Sequence, residues 1–73
     1  MSKLPPLKSR DIIRALHKIG FIEHRQRGSH KIFKKDNLRV TVPIHSKDLK
    51  KGTIHSIIEQ IELTLDEFFE YIK

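Results

Sequence analysis

Apolar positions along this chain first recur every three or four residues, then every second residue, then every three or four again. Ile12, Ile13, Leu16 and Ile19 form one helical stripe, which predicts a helix over about residues 9–19. Ser9 is placed to cap it, and Asp11 falls in the first turn, where the helix dipole favours a negative charge. Gly20 offers the left-handed residue that ends helices, and Phe21 can fold back onto the last turn. The period then changes. "FIEHRQR" reads as a strand whose apolar content is confined to Phe21 and Ile22, with Arg27-Gly28 as a tight turn after it. "SHKIFKK" follows as a second strand, and Asp36-Asn37 brings turn chemistry. "LRVTVPI" alternates most clearly: Leu38, Val40, Val42 and Ile44 are interleaved with Arg39 and Thr41, and Pro43 stands near the end, where a missing N–H is tolerated.

After a loop through His45, Ser46, Lys47 and Asp48, helical spacing returns in Ile54, Ile57, Ile58 and Ile61, which predicts a second helix from about Lys50. Thr64 and Glu67 have capping-box spacing, flanked by Leu63 and Phe68 as a hydrophobic staple. They predict a short third helix carrying Leu65, Phe68, Phe69 and Ile72. The order helix, three antiparallel strands, helix, helix predicts an α+β fold with the helices on one face of a meander. Its open face would carry Arg39 and Thr41, with a basic and histidine-containing set from the first two strands. The length allows a single domain, expected over residues 9–73, with residues 1–8 as a flexible lead-in that Pro5 and Pro6 keep extended.

Charge adds what periodicity cannot. Residues 1–56 hold fourteen Lys and Arg against four Asp and Glu, a net of +10; residues 57–73 hold one Lys against five acids, a net of −4. A basic body with an acidic tail points to a polyanion partner, nucleic acid first among them. With no cysteine there is neither a disulfide framework nor a thiolate metal site, which fits a reducing cytoplasm. The start of the chain shows no apolar run of the signal-peptide kind, and no segment is apolar enough to span a bilayer, so a cytoplasmic protein is expected.

Five histidines, at positions 17, 24, 30, 45 and 55, are the candidates for chemistry. None has the i, i+4 spacing of a helix-borne HExxH zinc site, and no metal or other cofactor is expected. His17, His24 and His55 read as surface or partly packed side chains. His30 and His45 each end or begin a strand beside a loop, among many cations and few acids. Histidine titrates close enough to neutrality to take up and return a proton, which suits acid/base work on a polyanion. The second helix opens on "KKGT"; its N-terminal N–H groups, with Lys50, Lys51 and the unshielded Gly52, suit a phosphate. Arg25, Arg27, Lys31, Arg39 and Lys47 complete the set of candidate nucleic-acid contacts.

Several markers then converge: Gly20-Phe21, Arg25 through Gly28-Ser29-His30, Val42-Pro43 with His45, and Leu49 through Lys51-Gly52-Thr53. Together, over about residues 8–70, the chain closely resembles HicA-type toxins of HicAB toxin–antitoxin systems. The resemblance implies a double-stranded-RNA-binding-domain-like fold and an endoribonuclease of the mRNA interferase kind that arrests growth. It implies that His30, in the Gly-Ser-His motif, is the catalytic histidine and that a HicB-like antitoxin masks it. Ser29 and His45 are auxiliary candidates on the chemistry of the residues alone. A non-catalytic double-stranded-RNA-binding module is the alternative, and it would have no need of His30. One departure stands out: after the second helix the family commonly has Ala-Gly, and this chain has Ile61-Glu62. Either the helix runs a residue or two longer, or Glu62 takes an unfavourable backbone conformation.

Overall fold

Each of the three periodic segments folds as its period dictates. In the computed structural model, which describes residues 6–72, they form α1 (Ser9–Ile19), β1 (Ile22–Arg27), β2 (His30–Lys35), β3 (Leu38–Pro43), α2 (Lys51–Gln60) and α3 (Leu65–Ile72). The strands make one antiparallel sheet in the order β1-β2-β3. This is the α+β arrangement of a double-stranded-RNA-binding-domain-like fold, helix–three strands–helix, with a short helix added. Of the lead-in expected over residues 1–8, residues 1–5 lie outside the described residues. Leu7 is buried, and its carbonyl accepts the Leu49 N–H at 2.8 Å.

The core lies between the helices and one face of the sheet. Ile12, Ala15 and Leu16 of α1 meet Phe33, Val40 and Val42 from the sheet, with Ile54, Ile57 and Ile58 of α2 and Phe68 of α3. Phe33 and Phe68 are wholly buried. Burial of each such side chain is worth roughly 1.5–3 kcal/mol, so a few of them supply much of the stability of so short a chain. β1 shows why it looked weak in the sequence. All six of its residues are exposed, and it is an edge strand hydrogen-bonded only to β2. An irregularity between Glu23 and Arg25 makes His24 the extra residue of a bulge, a device common on exposed edges.

The helix ends differ from expectation at one place and resolve an open question at another. Ser9 does not cap α1; Lys8 takes the N-cap position, with φ −103° and ψ 164°. The Lys8 N–H is met by the Asp11 carboxylate at 2.9 Å, which leaves the Ser9 hydroxyl free to bond elsewhere. Gly20 ends α1 at φ 119°, and the Lys35 ammonium from the end of β2 donates to the Ile19 carbonyl at 3.0 Å, a cation at the negative end of the dipole. α2 ends at Gln60, and Glu62 takes the left-handed conformation at φ 60°, a value that favours glycine. The chain then turns into the capping box: the Thr64 N–H donates to Glu67 Oε1 at 2.8 Å, and the Glu67 N–H to Thr64 Oγ1 at 3.1 Å. Beyond that turn α3 packs against α1, with Phe68 seated in the core.

Candidate nucleic-acid interface

The pleat sorts the basic residues. On β2, Phe33 points into the core, so His30, Ile32 and Lys34 point the other way. Their partners are Arg27, Arg25 and Ile22 on β1, and Pro43, Thr41 and Arg39 on β3. The open face therefore collects Arg25, Arg27, Lys34 and Arg39 around His30, with no acid at any of these paired positions. Lys34 belongs to this set although it was not among the sequence candidates; period-two alternation from Phe33 would have found it. Lys31 goes to the other face. There it is half-buried, and its ammonium lies 3.2 Å from Glu23 Oε1.

His30 stands at the first position of β2, beyond a two-residue turn of Gly28 and Ser29. Gly28 adopts φ 57°, the left-handed value that hairpin turns require and glycine takes without strain. Gln26 Nε2 donates to the Gly28 carbonyl at 2.9 Å and steadies the turn. The Ser29 carbonyl accepts the Ile44 N–H at 2.6 Å, carrying the β2–β3 ladder past the end of β3. That bond settles a relation the sequence could not: His30 and His45 lie at the same end of the sheet, each one residue from this bond. Both are exposed.

The connection carrying His45 is fastened from below. Ser9 Oγ donates to the Pro43 carbonyl at 2.6 Å and accepts the His45 N–H at 3.2 Å. Further along, exposed Lys47 and Lys50 precede α2, whose first turn holds Lys51 and Gly52 and no acidic residue. No side chain caps this helix start, and nothing lies within 4 Å of where a Cβ on Gly52 would sit, so its N–H groups are open to an anion. Of the other histidines, His17 rests its ring edge-on against Phe33 at 5.8 Å, while His24 and His55 are exposed. Among the described residues, no three histidine or carboxylate side chains are grouped to hold a metal ion, and no helix is long and apolar enough to cross a membrane.

Comparison with known proteins adds one decisive finding. A search of curated proteins finds no match. The family described as the HicA toxin of bacterial toxin–antitoxin systems, however, matches residues 9–63, which contain the Gly28-Ser29-His30 turn, His45 and the start of α2. The match covers well over half of the sequence, so the chain belongs to the HicA toxin family, whose members work as toxins paired with an antitoxin.

Proposed function

We propose that the chain is a metal-independent endoribonuclease that cleaves mRNA in the cytoplasm, with His30 as its acid/base residue, and that it is a monomer until a HicB-like antitoxin covers it. The observation that carries this reading is the placement of an exposed histidine at the rim of an open, acid-free sheet face with four cations. Arg25, Arg27 and Arg39 on that face, with Lys47, Lys50, Lys51 and Gly52 at the loop and helix start that follow β3, are the groups that would meet RNA phosphates.

The chemistry follows from histidine beside a ribose. Neutral His30 takes the 2′-OH proton, the 2′ oxygen attacks the adjacent phosphorus, and the bond from phosphorus to the 5′ oxygen breaks. One product ends in a 2′,3′-cyclic phosphate and the other in a 5′-OH. The leaving oxygen needs a proton, for which His45, at the same end of the sheet, is the candidate donor, with a lysine or water as the alternative. The cations nearby stabilise the charge that builds on the phosphorane. Ser29 contributes through its carbonyl, which holds Ile44 in place. An antitoxin with an acidic surface would compete for the same face, burying His30 and displacing RNA.

The test is cleavage of a mixed-sequence RNA in EDTA, with product ends analysed, for the wild type and His30→Ala. The wild type is expected to cut and leave cyclic phosphate ends. The variant is expected to lose activity by about 10²–10⁴-fold, the usual worth of a general acid–base group. Because His30 is exposed, its stability should change by less than about 0.5 kcal/mol. If neither protein cuts but both bind RNA equally, the non-catalytic binding module becomes the correct account.

A further inference from the structure

Away from the open sheet face, a groove of about 330 Å³ opens between the start of α1 and the chain leaving β3. Its floor is apolar, formed by the half-buried Ile13 and Ile44. Its rim is basic and polar, formed by Lys8, Arg10, His45 and Ser46. The walls are tied together before any ligand arrives. Ser9 bonds the main chain on both sides of Ile44, and Lys8 Nζ donates to the Ser46 carbonyl at 3.1 Å. Lys8 also faces Asp48 at 3.7 Å, so its charge is partly offset. Arg10 is exposed and forms no ion pair among the described residues.

Size, charge and position restrict the occupant. The volume lies at the low end of the range for small-ligand sites, roughly 300–1,000 Å³, and admits one nucleotide but not a duplex. Half-buried isoleucines offer an apolar surface for the flat face of a base, while a free guanidinium at the rim suits its phosphate. The groove also adjoins the cleavage end of the sheet, since its floor residue Ile44 is hydrogen-bonded to Ser29, the neighbour of His30. We propose that this groove is a nucleotide subsite, which seats one unpaired base of the RNA strand against Ile13 and Ile44 with its phosphate toward Arg10. The proposal rests on the reading of the chain as an RNase and adds to it a place where base identity is sensed. It also requires that the strand be single-stranded where it crosses the groove.

Isoleucine methyl groups make both surfaces visible in one NMR experiment. Ile13 and Ile44 report the groove, while Ile22 and Ile32 report the open sheet face. The probes are 2′-O-methyl RNA hexamers of each base, which lack the hydroxyl needed for cleavage, and a hexaglutamate peptide as a protein-like polyanion. The expected result is saturable movement of the Ile13 and Ile44 methyls with RNA, unequal among the four bases, and ~3- to 10-fold weaker binding in Arg10→Ala. Static groove methyls while Ile22 and Ile32 move would overturn the subsite. So would equal movement with hexaglutamate, which would assign the groove to a protein partner. Cleavage by wild type and His30→Ala is scored separately. Groove methyls that shift in a chain that cuts nothing keep the nucleotide site and sink the RNase reading; cleavage with unmoved groove methyls does the reverse.

Discussion

Replacing Ser9 by alanine tests whether one hydroxyl holds the connection that carries His45. Ser9 is buried, and its Oγ donates to the Pro43 carbonyl at 2.6 Å while accepting the His45 N–H at 3.2 Å. Alanine fits the same space in a helix and has the better helix propensity, so the backbone of α1 should not object. What it removes is the partner of two main-chain groups 34 and 36 residues away. An unsatisfied buried polar group costs about 1–3 kcal/mol. The adjacent groove admits water to part of this site, which argues for the lower half of the range, about 1–2 kcal/mol for the pair. In a domain of this size that is a fall in Tm of roughly 5–15 °C. Urea unfolding should show a lower midpoint at an unchanged slope, because the surface exposed on unfolding is the same. A loss under about 0.5 kcal/mol, the ordinary effect of a surface substitution, would refute the reasoning. It would mean that the β3–α2 connection holds its shape without Ser9.

Two further predictions concern the chain's last turn and helix. Glu62→Gly should raise stability by about 0.5–1 kcal/mol: the left-handed conformation costs a non-glycine residue roughly 1–2 kcal/mol, offset in part by the greater unfolded-state entropy of glycine. A fall in the urea midpoint would show that the Glu62 side chain makes a compensating contact. Thr64→Ala removes the hydroxyl that accepts the Glu67 N–H at the start of α3, and should cost about 1 kcal/mol by thermal unfolding. An unchanged Tm would mean that the burial of Phe68 holds α3 without its cap.

The element order was legible because each segment carries its own period and its own stop signals. Ile12 through Ile19 repeat on one helical face and meet Gly20, while Leu38 through Ile44 alternate and meet a loop. Even the weakness of β1 was readable, since only Ile22 among its residues is large and apolar. The site was less legible. Lys31 follows His30 in the chain, yet the pleat sends adjacent side chains to opposite faces, and Glu23 reaches Lys31 on the far one. Ser9 had the residue type and place of a cap, but the helix is capped one position earlier, at Lys8, whose N–H is met by the Asp11 carboxylate. Nothing local in the sequence marks Arg10 or Ile13 as lining a groove with His45.

What the sequence determined by itself is what depends on neighbours within one or two turns of chain: helix and strand periods, the glycine turn before His30, the Thr64 capping box and the uneven charge. Those interactions are set by short separations along the backbone, so residue type and spacing suffice to predict them. What only the tertiary structure decided depends on groups far apart in the chain: the Ser29–Ile44 bond that brings the His30 and His45 segments to one end, the Ser9 tie to Pro43 and His45, and the groove between α1 and the β3–α2 connection. Each arises where the packing of helices on the sheet brings remote main-chain groups within hydrogen-bonding distance, and burial then requires those groups to be paired.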